Sequence, residues 1–141
     1  MPSRPNTLSG VAEAEGRTIA EISVSCYFCR DYLTVKEKYN YQLSGLLLIY
    51  SNNVPYASCY ECIREACIEQ HAVNFDRFLS VIEIEEEDEQ PIVAILVRCG
   101  LCLKPLNFAE KEYHKIRDIP MFTVKGGWKR GICTKCILTE I

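Results

Sequence analysis

Midway along the chain, apolar residues recur at helical spacing, at Ile63, Ala66, Cys67, Phe75, Phe78, Leu79 and Ile82. Arg64, Glu65, Glu69 and Asp76 fall on other faces, so the segment predicts an amphipathic helix. The stripe stops at residues 83–89, where six of seven side chains are acidic, and Pro91 closes the segment. A charge run of that kind predicts a solvated loop. Residues 92–97 are apolar again and predict a packed helix or strand leading into Cys99. Upstream, the run LLLIY at 46–50 is followed by Ser51-Asn52-Asn53 and Pro55, which suits a buried strand and its exit. Downstream, residues 121–125 alternate and meet Gly126-Gly127, which suits a hairpin.

Cysteine changes this picture most. Eight of nine cysteines form Cys-x-x-Cys pairs, Cys26/Cys29, Cys59/Cys62, Cys99/Cys102 and Cys133/Cys136, separated by 29, 36 and 30 residues. Four thiolates satisfy tetrahedral Zn²⁺, and a two-residue spacer lets both sulfurs of a pair reach one ion from one tight turn. The expectation is two zinc ions per chain. A secreted disulfide scaffold is the first rival, but residues 1–18 lack the apolar core of a secretory signal, and no stretch approaches the roughly 18 apolar residues of a membrane span. The chain is therefore expected in a reducing compartment, where thiols stay free for metal. A redox dithiol is the second rival, and four pairs do not resemble one catalytic pair at one helix start. With both zinc sites filled by cysteine, His71 and His114 are expected on helix surfaces.

The pairs also define a repeat. Cys26 to Cys99 is a step of 73 residues and Cys59 to Cys133 a step of 74, and Leu33, Glu37 and Lys38 correspond to Leu106, Glu110 and Lys111. This predicts a small, zinc-stabilised α+β protein, with two homologous four-cysteine zinc-binding domains joined by the amphipathic linker helix. Residues 1–20 are expected as an N-terminal arm, 21–63 as the first zinc domain, 64–90 as linker helix plus acidic loop, and 91–141 as the second zinc domain. Each lobe should hold a short helix after its first pair, strands across the long loop, and a helix beginning at its second pair. Lobes this small bury too little surface to offset the entropy of ordering their chain, so metal binding becomes folding energy.

Charge narrows the partners. Residues 91–141 carry nine basic and four acidic groups, whereas the chain as a whole is −3. Each four-cysteine zinc site adds −2, which takes the formal total to −7 by subtracting four from −3. Nucleic-acid binders are normally strongly basic along one face, which makes a zinc-finger transcriptional regulator the alternative reading rather than the leading one.

The cysteine spacing, with VPYASC before the second pair, LVRCGLCLKPL around the third and GGWKRGICTKC at the fourth, resembles the papillomavirus early protein six oncoproteins over residues 20–136. That resemblance implies a binding protein rather than an enzyme, acting in the cytoplasm and nucleus of a host cell. It implies a groove that grips a short acidic LxxLL helix of a host protein, with leucines in an apolar pocket and basic groups facing the peptide's carboxylates. The implied lining is Phe28, Leu46, Leu47 and Ile49 from the first lobe, Ile63, Ala66 and Cys67 from the linking helix, and Leu96 and Arg98 from the second lobe. Owners of such helices within the resemblance are a HECT-type ubiquitin ligase, Mastermind-like coactivators of Notch transcription, and paxillin. Bland readings stand beside these: apolar runs are more often core than pocket, Cys67 reads as a small buried residue, and Arg98 next to Cys99 can serve to neutralise the thiolates.

Two positions depart from the family pattern. Gly127 precedes Trp128 where many members carry a basic residue, and Ser51 holds another frequently basic place, which implies a less acidic peptide or one that approaches differently. The ending Leu138-Thr139-Glu140-Ile141 fits the tail that PDZ grooves accept, with Thr139 and Ile141 as its key residues. Only five residues follow Cys136, so packing of this tail on the second lobe is the competing reading. A RING-type ligase interleaves its ligands and normally includes histidine, and a closed four-thiolate site leaves no open position for catalytic water.

Overall fold

A computed structural model describes residues 4–140, without the side chains of residues 139 and 140. The chain divides into two compact units between Ile63 and Arg64. Both mix helix with sheet, and each contains one four-cysteine cluster. Among the described residues no helix is long and apolar enough to cross a membrane.

The first unit opens with α1 (Leu8–Glu15), capped by the Thr7 side chain and ended by Gly16 in the left-handed conformation. Leu8 and Ala12 of α1 pack with Ile22, Val24, Leu33, Tyr41 and Ala57, so most of the expected arm is a helix of the core. Next comes α2 (Val35–Leu43), which starts at a capping box between Thr34 and Glu37. A hairpin follows, with β1 (Ile49–Ser51) antiparallel to β2 (Val54–Tyr56). The strand expected over 46–50 is thus shifted toward its turn, and it is half-buried rather than buried.

Helix α3 (Tyr60–Asn74) starts at the second cysteine pair and continues into the second unit. The predicted linker helix is shorter than its apolar spacing implied. It ends at Asn74, and Phe75–Leu79 form a strand, β3. Helical spacing at 75, 78 and 79 was misleading here, because these residues pair across to the strand Met121–Val124, a contact no local period encodes, while Ile82 belongs to the next helix. The acidic run is also not a loop. Helix α4 (Val81–Asp88) begins at a second capping box, Ser80 with Glu83, and buries Val81 and Ile84. Its acids are held by cations from three other elements: Glu85 by Lys115 at 3.0 Å, Glu87 by Arg77 at 2.9 Å and Asp88 by Lys129 at 3.1 Å.

A 3₁₀ turn over Ile92–Ala94 then leads along extended chain to the short β4 (Arg98–Cys99). After it come α5 (Phe108–Ile116), the hairpin of β5 (Met121–Val124) and β6 (Trp128–Gly131), and α6 (Thr134–Glu140). Gly126 and Gly127, both at positive φ, turn that hairpin as the sequence predicted. The sheet runs β3-β5-β6-β4, antiparallel except for β4 beside β6. Leu79, Val81, Ile84, Ile92, Ile95, Val97, Leu106 and Met121 fill its core.

The 73-residue step extends beyond the cysteines. It carries Leu8–Glu15 onto Val81–Asp88, the cap Thr7 onto Ser80, and the left-handed terminus Gly16 onto Glu89. In the core it carries Ile22, Val24 and Leu33 onto Ile95, Val97 and Leu106. The expected arm and the expected acidic loop are the same helix of a duplicated domain. Glu89 adopts φ +52° where its counterpart is glycine, and it adds a negative charge at the negative end of a helix dipole. Glu89→Gly is therefore expected to stabilise the zinc-loaded chain by about 1 kcal/mol in denaturant unfolding, and a loss of stability would contradict this assignment.

Candidate metal centres

Each centre is built from two pieces of backbone. In the first unit Cys26 and Cys29 sit on a tight turn closed by the Arg30 N–H donating to the Cys26 carbonyl at 2.9 Å, with Arg30 at φ +69°. In the second unit the Leu103 N–H donates to the Cys99 carbonyl at the same 2.9 Å, with Leu103 at φ +65°. The other pair of each centre lies at a helix start, Cys59/Cys62 at α3 and Cys133/Cys136 at α6. A parallel bridge joins the two pieces in both units, Cys26 with Ala57 and Cys99 with Gly131. Gly131 is dictated by space, since a Cβ there would lie 2.7 Å from Leu106 Cδ1.

The sulfurs of Cys26, Cys29, Cys59 and Cys62 lie within 4.8 Å of one another, and so do those of Cys99, Cys102, Cys133 and Cys136. Cys29 Sγ is 3.8 Å from Cys59 Sγ, and Cys102 Sγ is 3.7 Å from Cys133 Sγ. Four sulfurs about 2.3 Å from a tetrahedral zinc stand about 3.8 Å apart, whereas a disulfide needs about 2.05 Å. The donor chemistry and the spacing therefore fit two zinc ions, one per unit, held as closed four-thiolate sites.

Backbone N–H groups prepare the thiolates. The Leu101 and Cys133 N–H groups each donate to Cys99 Sγ at 3.4 Å. The Cys102 thiol, with these N–H groups, pulls Cys99 down to about 4 against the effect of burial. Cys26 lies at about 6: burial opposes ionisation there, and N–H groups of Cys29, Cys59 and Phe28 outweigh it. Burial pushes Cys136 up to about 12 and raises Cys62 as well. Metal must displace protons from these raised thiols, so zinc is held less tightly as pH falls.

A repeated carboxylate ties each centre to its helices. Glu37 accepts from Thr34 N–H at 2.9 Å and from Tyr60 N–H at 2.8 Å, so it caps α2 and the metal-bearing α3 together. Glu110 does the same for α5 and α6, through Asn107 N–H at 2.9 Å and Thr134 N–H at 2.6 Å. Burial works against ionisation of Glu110, but the Asn107 and Thr134 N–H groups and Lys104 hold its carboxyl below the usual range. The lysines beside these acids are buried in parallel, Lys38 donating to the Ala20 and Ile22 carbonyls and Lys111 to the Ile95 carbonyl.

His114, expected on a helix surface, is buried. Its Nε2 accepts the Ile132 N–H at 3.1 Å, and its Nδ1 lies 3.1 Å from the Ile119 carbonyl. The 73-residue step carries Tyr41 onto it, whose hydroxyl likewise donates to a local carbonyl, that of Leu47. Sequence reasoning passed over this pair because their side chains differ, although their place in the repeat is the same. His71 is exposed, as expected.

The family model described as Early Protein (E6) matches residues 6–136. The chain belongs to the papillomavirus E6 family. Among similar proteins, Protein E6 of human papillomavirus type 32 is 28% identical over 137 residues, covering 95% of this chain and 94% of its own. Protein E6 of human papillomavirus type 6b is 31% identical over 134 residues, covering 94% and 88%. A solved C-terminal zinc-binding domain of the human papillomavirus 51 oncoprotein E6 overlaps 46% of this chain and 84% of its own, with TM-score 0.42 and 20% identity.

The residues assigned to a peptide groove by the E6 resemblance fall into two groups. In the first unit Phe28 is 61% and Leu47 57% exposed, while Leu46, Ile49 and Ile63 are half-buried. In the second unit Ala66 is exposed and Leu96 is 57% exposed. Half-buried Arg98 donates to the Leu103 carbonyl at 2.7 Å, which ties it to the zinc turn. Cys67 is buried, in keeping with its bland reading, and burial pushes its thiol up to about 11. It sits in a cleft of about 460 Å³ within the second unit, beside Ile68, His71 and Phe122. Of the two basic residues that follow Trp128, Lys129 is engaged by Asp88 and Arg130 is buried in β6. Ile141 and the Thr139 side chain lie outside the described residues. Backbone through Glu140 is helical, whereas strand addition takes an extended tail.

The two centres differ in exposure. Cys29 is exposed and both Cys59 and Cys62 are half-buried, whereas in the second centre only Cys102 reaches the surface. A strong chelator is expected to take one zinc per chain well before the other. Cys29→Ser should abolish the fast phase and leave the slow one, in stopped-flow release with a chromogenic chelator. Release of both ions at one rate would contradict this asymmetry.

Proposed function

We propose that this E6 protein is a binding adaptor, not an enzyme, that takes an acidic LxxLL helix of a host protein and redirects or blocks its owner. The observation that carries the reading is the exposure of Phe28, Leu47 and Leu96, large apolar side chains left on the surface while the cores are filled by others. Half-buried Leu46, Ile49 and Ile63 add apolar surface within the first unit, and Arg98 of the second unit supplies a cation for the peptide's acids or helix end. Cys67 contributes from within the second unit's cleft rather than as an exposed wall.

The partner classes are a HECT-type ubiquitin ligase, whose capture would send host regulators to degradation, a Mastermind-like coactivator, whose capture would silence Notch transcription, or paxillin. Gly127 and Ser51 remove two basic places, and Lys129 is already paired with Asp88, so a moderately acidic peptide is preferred. That weighs toward the coactivator or adhesion class. Action in host cytoplasm and nucleus follows from the same reading, and the C-terminal tail is a secondary PDZ ligand once its last turn unwinds.

The test is a titration of the zinc-loaded chain with LxxLL peptides from each class. At least one should bind at micromolar affinity or better, and Leu47→Glu, an exposed substitution, should weaken it at least about tenfold. Absence of binding to every peptide defeats the proposal. Tighter, steeply salt-dependent binding to duplex DNA would replace it with the transcriptional reading.

A further inference from the structure

Strand β3 lies at one end of the second unit's sheet, and among the described residues it pairs only with β5. Phe78 is 61% exposed on it and Phe75 37%. Their rings stand 4.9 Å apart, and both reach Phe122, at 6.3 and 5.9 Å. His71 completes the cluster, 5.1 Å from Phe75 and 4.8 Å from Phe122. Residues three apart on a regular strand point to opposite faces. The register shift between Phe75 and Arg77 inserts one residue and brings both phenylalanines to one face. An end strand with exposed aromatics is a template for pairing unless something covers it.

The sequence of this edge specifies what would cover it. Phe75-Asp76-Arg77-Phe78 reads as a charge palindrome. When two copies run antiparallel with Asp76 opposite Arg77, Phe75 falls opposite Phe78, so every facing pair is acid with base or ring with ring. Slipping that register by one residue sets Asp76 against Asp76 or Arg77 against Arg77. Parallel alignment in register sets like charge against like charge at both positions. A single arrangement is therefore favoured by cross-strand chemistry, and it has the two-fold symmetry of an isologous contact.

We propose that β3 pairs antiparallel with β3 of a second copy of this chain, joining two four-stranded sheets across a two-fold axis. The existing partners of the charged pair leave room for this. Asp76 accepts from Thr123 through Oδ2, Arg77 meets Glu87 through Nη2, and the two lie 4.0 Å apart within the chain, Arg77 Nε to Asp76 Oδ2, which leaves Asp76 Oδ1 open. Both side chains remain more than half exposed, at 59% and 53%. Ion pairs this exposed are weak and exchange at little cost.

Sedimentation equilibrium of the full zinc-loaded chain, across a wide concentration range, tests the proposal. A concentration-dependent dimer is expected, lost in Phe78→Asp and weakened at least about tenfold in Asp76→Arg or Arg77→Asp alone. The double variant Asp76→Arg/Arg77→Asp restores opposite charges in the same register, and it should return association to within about threefold of the parent. The Asp76–Arg77 contact within one chain is also reversed in the double variant, so zinc content and unfolding stability are measured on every variant, and their constancy assigns the recovery to association. A chain that is monomeric throughout, a dimer indifferent to Phe78→Asp, or a double variant as weak as the singles would overturn the proposal. None of these positions belongs to the LxxLL surface, so peptide affinity should not change and the two readings fail separately.

Discussion

Sulfur bound to zinc is the interaction on which the rest depends. The first unit's core rests on a few side chains, among them Leu8, Ala12, Ile22, Val24, Leu33, Tyr41 and Ala57. Apolar burial on that scale does not offset the entropy of ordering some sixty residues. A structural zinc supplies roughly 10 kcal/mol or more. Around each centre the chain uses its polar groups to hold ligands in place: a left-handed residue turns the first pair, a shared carboxylate caps the two helices, and a buried lysine donates to backbone carbonyls.

Duplication explains why that arrangement occurs twice, and the differences between copies show what each unit added. Ala57 becomes Gly131 where Leu106 and His114 crowd the backbone. Tyr41 becomes His114, and both satisfy local carbonyls from buried positions. The helix that is α1 in the first unit becomes α4 in the second, where its exposed face has turned acidic and is restrained by Arg77, Lys115 and Lys129. Between the copies lies the rest of α3, whereas the 73-residue step carries residues 4–6 onto the end of strand β3, and the Leu48 N–H that donates to Asn6 falls where Met121 pairs with Leu79. Strand β3 widens the second sheet and leaves it with an aromatic edge.

Much of this was legible in the chain. Four equal Cys-x-x-Cys spacings give both metal centres, and the match of Leu33, Glu37 and Lys38 to Leu106, Glu110 and Lys111 already marks the carboxylates and lysines that support them. What escaped has physical causes. Residues 83–89 look solvated because charge dominates them, yet Ser80 and Glu83 form a capping signature and Ile84 is fully buried. Carrying the 73-residue step back past Cys26 would have found α1 and α4 together. Strand β3 carries an apolar period that a helix also satisfies, and only its pairing with β5 decides the matter. The exposure of Phe28, Leu47 and Leu96 is not legible in the chain, because exposed and buried apolar side chains look alike in a sequence.

Metal is thus the source of the fold, and the exposed side chains of both units are displayed on what it holds together. Native mass spectrometry joined to far-ultraviolet circular dichroism during chelation tests it most directly. Two zinc ions per chain are expected, one for each cysteine cluster, with helical signal collapsing as they leave and returning when zinc is restored. A chain that carries another stoichiometry, or that keeps a cooperative fold after both ions are gone, would contradict it.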